Sequence, residues 1–227
     1  MQKPNTWILV LGISIAISVS ILLLAQAMPT DKVSHAALPD PKQIIADSGQ
    51  GEQTITFAGG CFWGVEAVFR HTKGVLSAIS GYAGGKKVNP RYEQVSSGKT
   101  GHAESVQVVY DPEKIAFEQL LKIYFAVAHD PTQLNYQGPD HGTQYRSAIF
   151  TTNGEQASVA RAYISQLQAA RIFNKPIVTE VTSLPVFYPA EDYHQNYLAR
   201  HTNQPYIVKN DLPKLAQLRA QFPALYR

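Results

Sequence analysis

Cysteine occurs once in this chain of 227 residues, at Cys61. A single thiol cannot close an intramolecular disulfide, so no such bridge holds the fold. Zinc sites built from Cys-x-x-Cys pairs are excluded with it. Charge is also sparse: 16% of residues are Asp, Glu, Lys or Arg, and the formal net charge is +3. No basic run with interleaved aromatics is present, so nucleic acid is not an expected partner. No His-x-x-x-His pair stands at helical spacing, and no metal or other bound cofactor is expected. Internal repeats and low-complexity segments are missing as well. What remains is an ordinary globular composition, 44% apolar, with enough chain after residue 51 for one domain with its own core.

The N-terminus is less ordinary. Nineteen uncharged, mostly apolar residues run from Trp7 to Ala25 behind Lys3. That length can span a bilayer as a helix, while Ala25-Gln26-Ala27 has the small-x-small pattern of a signal cleavage site. Residues 1–27 are read as a signal peptide or a membrane anchor. Either leader places the rest of the chain outside the cytoplasm, in the cell envelope, with membrane contact if it stays uncleaved. Residues 28–53, with three prolines, read as a tether, and residues 54–227 as a single globular domain.

Within that domain Thr54-Ile55-Thr56-Phe57-Ala58 is β-prone, and Phe62, Val65, Val68 and Phe69 have helical spacing. Residues 75–80 read as a strand, followed by a Gly/Asn/Pro-rich loop to Gly101. Glu104 to Tyr110 alternates as a strand, Phe117 to Val127 is helical, and a polar loop precedes strand-like residues 145–151. Thr152-Asn153-Gly154-Glu155 resembles a capping box for a helix ending near Ala170. A strand from Ile177 to Leu184 and helices over 191–200 and 214–222 complete the reading. The order β-α-β-β-α-β predicts an α+β fold, the ferredoxin-like split βαβ two-layer sandwich. Additional C-terminal helices extend it, and the N-terminal hydrophobic helix precedes it.

Cys61 follows Gly59-Gly60 at a strand-to-helix junction. Unpaired amides and the positive end of a helix dipole favour thiolate there. Glu104 shares strand parity with Val106 and Val108, which places its carboxyl at the mouth of a buried face. Lost solvation there makes it hold its proton to higher pH. Tyr92, Asp140 and Tyr145 lie in long loops that supply hydrogen-bonding groups. Phe62 and Trp63 can wall an apolar pocket beside the thiol.

These residues fall within ordered motifs: Gly60-Cys61-Phe62-Trp63-Gly64-Val65-Glu66, Gly81-Tyr82-Ala83-Gly84-Gly85 and Asn89-Pro90-Arg91-Tyr92. Thr100-Gly101-His102-Ala103-Glu104, His129-Asp130-Pro131-Thr132, Asp140 through Ser147 and Ala190 through Gln195 follow. Over residues 54–222 the chain resembles the A-type peptide-methionine sulfoxide reductases. The resemblance implies reduction of the S-epimer of methionine sulfoxide, free or in proteins, in the manner of enzymes that each act on one epimer. It implies that Cys61 is the nucleophile and Glu104 the acid, with Tyr92 and Tyr145 bonding the sulfoxide oxygen. Phe62 and Trp63 would hold the methyl group and Asp140 would orient the substrate.

Relatives often carry further cysteines near the C-terminus, whereas Thr202 to Val208 has none. An external thiol (thioredoxin, glutaredoxin or glutathione) is therefore the expected reductant, and the protein is expected to be a monomer. Two other readings use the same thiol. One is a cysteine-dependent acyl hydrolase pairing Cys61 with His102, His141 or His194. The other is an inactive tethered binder of oxidised methionine.

Overall fold

The computed structural model describes residues 38–46 and 51–227. The leader, with its expected hydrophobic helix, lies outside the described residues. Among those described, no helix is long and apolar enough to cross a membrane.

Strand β1 (Gln53–Ala58) runs through Gly59-Gly60 into helix α1 (Phe62–Arg70). Strand β2 (Val75–Ala83), the short helix α2 (Tyr92–Ser96) and strand β3 (Ala103–Tyr110) follow. Helix α3 (Phe117–Ile123) passes directly into a turn of π-helix over Tyr124–Ala128. A small ribbon, β4 (Tyr136–Gln137) with β5 (Asp140–His141), leads to a 3-10 turn at Thr143–Tyr145 and strand β6 (Ala148–Thr151). Helix α4 (Gly154–Ala169) and strands β7 (Glu180–Ser183) and β8 (Phe187–Pro189) come next. The chain ends with a 3-10 turn (Asp192–His194), α5 (Tyr197–Arg200), a π turn (Ile207–Asp211) and α6 (Leu212–Gln221).

The six-stranded sheet has the order β7-β6-β1-β3-β2-β8. Strand β3 pairs antiparallel with both β1 and β2 and so splits the β1-α1-β2 unit, as the element order predicts. Strand β6 is antiparallel to β1, whereas β7 joins β6 in parallel, which makes the sheet mixed. Ile55 and Phe57 of β1, Val106 and Val108 of β3, and Val65, Val68 and Phe69 of α1 are buried in one core. Phe57 stacks between Phe69 and Tyr124, with ring centroids at 4.9 and 4.7 Å. Burying each such side chain contributes about 1.5–3 kcal/mol.

Several expected elements change form. The helix expected over 191–200 is broken at Asn196, whose backbone is left-handed and whose N–H is drawn to the Glu66 carboxylate at 2.9 Å. Helix α4 is capped by Asn153, whose side chain accepts from the Gln156 N–H at 2.8 Å, not by Thr152. The strand expected from Tyr145 starts only at Ala148, because the 3-10 turn takes up Tyr145. Strand β8, which follows Pro185 and ends in Pro189, is too short to give an alternating run that can be read.

Residues 38–46 of the expected tether are seated on the domain. Leu38 is buried, the Tyr163 hydroxyl of α4 donates to the Pro39 carbonyl at 2.9 Å, and Lys122 of α3 pairs with Asp40 at 2.7 Å.

Candidate active site

The site is built where β1 turns into α1. Gly60 has φ +87, and a Cβ there would also lie 2.5 Å from the Gln137 side chain, so glycine is required on both counts. The turn places Cys61 at the N-cap of α1 with 8% of its surface exposed. The opposite wall comes from β3, whose alternation sends Glu104 inward with Val106 and Val108. The two walls are joined directly: the backbone N–H of Phe62 donates to Glu104 Oε2 at 3.1 Å.

Burial pushes the Glu104 carboxyl up to about 8, with the negative charges of Asp140 and Asp211 adding and the Phe62 N–H opposing. At neutral pH it keeps a proton. Burial also pushes the Cys61 thiol well above its ordinary value, reinforced by Glu104 and Asp211 and only partly offset by the Trp63 N–H and Lys214. The expectation of a resting thiolate is thereby corrected: dehydration of the sulfur outweighs the helix terminus.

Aromatic rings close the pocket. Phe62 is surrounded by His194, Tyr82, Trp63 and Tyr92, with centroids at 5.0, 6.0, 6.5 and 6.5 Å. Trp63 stacks on Tyr197 at 3.8 Å, and its indole N–H donates to His194 Nδ1 at 3.1 Å. Tyr92 is held from behind, its backbone N–H bonded to Glu191 at 3.0 Å, and the Tyr82 hydroxyl takes the other oxygen of that carboxylate at 2.8 Å. Burial and the nearby charge of Glu104 push the hydroxyls of Tyr92 and Tyr145 upward, so both stay protonated donors. Asp140, on β5, accepts from the Tyr206 hydroxyl, which ties the C-terminal segment to the pocket.

The seven residues singled out in the sequence lie in one region of the fold: Glu104 accepts from the Phe62 N–H, Tyr92 and Tyr145 feel the charges of Glu104 and Cys61, and Asp140 feels that of Glu104. Sequence reasoning missed Glu191, Tyr206, Asp211 and Lys214. Their only signal was position in or beyond the Ala190–Gln195 motif, and each acts through a fold contact across more than sixty positions of chain. The imidazoles proposed for acyl transfer are engaged elsewhere. His102 accepts from the Gly85 N–H at 3.1 Å and donates to the Lys87 carbonyl at 2.7 Å, His194 holds Trp63, and His141 stacks on Tyr136. Among the described residues, no group of three or more His, Cys, Asp or Glu is placed to hold a metal ion. A separate cavity of about 230 Å³, lined by Leu38, Phe125, Phe173 and Lys214 among others, includes none of the seven.

A thiol beside a carboxyl that retains its proton, in a pocket of aromatic walls, describes a thiol-dependent oxidoreductase able to take an oxygen atom onto sulfur. Residues 53–225 match the family described as peptide methionine sulfoxide reductase. The chain is 57% identical over 176 residues to peptide methionine sulfoxide reductase MsrA 2 of Mesorhizobium japonicum, covering 78% of this chain and 90% of that one. It is 48% identical over 188 residues to MsrA 2 of Synechocystis, covering 82% and 88%. Among solved structures it resembles methionine sulfoxide reductase A of Corynebacterium diphtheriae, with TM-score 0.60, 39% identity, and coverage of 72% and 82%. It also resembles reduced Mxr1 of Saccharomyces cerevisiae, with TM-score 0.64, 34% identity, and coverage of 71% and 92%. The chain belongs to the MsrA family of peptide methionine sulfoxide reductases, and it reduces methionine sulfoxide.

Proposed function

We propose that Cys61 attacks the sulfur of the S-epimer of methionine sulfoxide while Glu104 protonates the departing oxygen. The observation that carries this reading is the Phe62 N–H bond to Glu104, which holds a protonated carboxyl beside the residue that bears the thiol. Tyr92 and Tyr145, both donors, bond the sulfoxide oxygen, Phe62 and Trp63 receive the methyl group, and Asp140 orients the substrate. A bond forms between the Cys61 sulfur and the substrate sulfur as the sulfoxide oxygen takes the Glu104 proton; the hydroxyl then passes to Cys61 as the sulfur–sulfur and the substrate's sulfur–oxygen bonds break, releasing methionine. The thiol proton replaces the one that Glu104 gives up. Methionine sulfoxide is reduced by two electrons, and Cys61 is oxidised by two to sulfenic acid.

With one cysteine in the chain, that sulfenic acid is resolved by two equivalents of an external thiol, releasing water and a disulfide and restoring Cys61. Thioredoxin, glutaredoxin and glutathione all supply this chemistry. Export to the cell envelope is supported by the apolar run from Trp7 to Ala25 and requires a reductant there; cell fractionation tests it.

The experiment is reduction of a racemic methionine sulfoxide peptide with dithiothreitol by the parent and by Cys61→Ser. The parent should consume half the racemate and stop, and Cys61→Ser should consume none. Single turnover without reductant should leave a mass increase of one oxygen on Cys61. Turnover by Cys61→Ser, or consumption of the whole racemate, would overturn the assignment.

A further inference from the structure

Two charged side chains outside the proposed catalytic set sit against the nucleophile's helix. Asp211 closes the second π turn and is fully buried, and the Lys214 ammonium pairs with its Oδ1 at 3.2 Å. The pair is packed on Gly64, the third residue of α1. A Cβ at Gly64 would come within 2.1 Å of Asp211 Oδ1 and 2.7 Å of Lys214 Nζ, so only glycine admits the pair there. The second oxygen, Asp211 Oδ2, is buried with no hydrogen-bond partner. A pair so poorly satisfied is weak evidence for a purely stabilising role. Its placement beside the first turn of α1 points to a role at the sulfur.

We propose that Asp211 and Lys214 are positioning residues for Cys61: Lys214 supplies positive charge that favours the anionic sulfur, and Asp211 anchors the ammonium against α1 and moderates it. This rests on Cys61 as the reacting thiol. The groups electrostatically coupled to the sulfur are Glu104 of β3, Tyr92 of α2 and Tyr145 of the first 3-10 turn; Asp140 of β5 acts on Glu104, and His194 of the second 3-10 turn is held by Trp63. Tyr206, just before the second π turn, Asp211 at its end and Lys214 of α6 complete the set. Lys214 pulls the thiol down and Asp211 pushes it up, so the two act with opposite sign.

The test is the rate of Cys61 alkylation by iodoacetamide against pH. It reads the sulfur without substrate and so stands apart from the assignment of Cys61 as nucleophile. Asp211→Asn should lower the midpoint and alkylate about threefold faster near neutral pH, and Lys214→Met should raise it and slow the reaction about threefold, a shift of roughly half a pH unit each way. Lys214→Arg should restore the parent profile. Asp211→Asn/Lys214→Met should titrate above Asp211→Asn and below Lys214→Met, so it carries the test should one single variant not fold. A purely structural pair would shift both single variants in one direction. That result, or unchanged midpoints in both, would overturn the proposal.

Discussion

Phe62 and Glu104 are joined across 42 positions of chain by one hydrogen bond, from the first amide of α1 to a carboxyl of β3. The bond occupies Oε2 and leaves the other oxygen of Glu104 to carry the proton. It also locks the start of α1, and with it the sulfur, to the centre of the sheet. A loop-borne acid could drift; this one is held by a strand hydrogen-bonded on both edges.

Glu104→Gln removes the acid while keeping the shape. We expect kcat/KM to fall by roughly 10²–10⁴. In the parent, kcat/KM should decline above about pH 8 as the carboxyl ionises, and this limb should be missing from the variant. Stopped-time assays of peptide sulfoxide reduction between pH 6 and 10 check both.

The same carboxyl makes stability depend on pH. Its value rises from 4.5 unfolded to about 8 in the fold, so the folded protein holds a proton that the unfolded chain releases in that window. The stabilising contribution is complete below about 4.5 and is lost as pH climbs through 8. Relative to the parent, Glu104→Gln should therefore be more stable at pH 9 than at pH 5. Urea titrations at the two pH values measure the difference.

Glu191 receives two donors on separate oxygens, the Tyr82 hydroxyl and the Tyr92 N–H. Against the burial that would raise it, the Tyr92 N–H and Tyr82 hydroxyl hold this carboxyl below its ordinary value. Its contribution to stability is thus present above the unfolded value and is lost as pH falls through the lower, folded one. Glu191→Gln keeps one acceptor and sets an NH₂ against a donor, which should cost about 1–3 kcal/mol. Thermal melts and a raised KM for peptide sulfoxide, from a loosened Tyr92, are the readouts.

Gly60→Ala forces a side chain onto a left-handed backbone and into Gln137. The backbone alone should cost about 1–3 kcal/mol. A lower melting temperature together with reduced turnover is expected, because the turn that aims Cys61 would have to move.

Much of this was legible in the sequence. The alternation from Glu104 to Tyr110 gave both a strand and the inward direction of the carboxyl, since strand parity is a local property. The Gly59-Gly60 junction likewise located the start of α1. The acidity of Cys61 was read wrongly because a helix terminus is visible in a sequence but desolvation is not. Glu191, Asp211 and Lys214 escaped for a related reason: each acts through tertiary contacts that no local pattern encodes. Asn196, which breaks the helix expected over 191–200, does so because Glu66, 130 positions away, draws its N–H.

Cys61 is nearly enclosed, and it is the only sulfur of its kind in the chain. One doorway must then admit two visitors in turn, first the oxidised side chain and afterwards the molecule that regenerates the enzyme. Neither can enter while the other is seated, so each should slow the other's access when in excess. Double-reciprocal plots at several concentrations of the second visitor should consist of parallel lines.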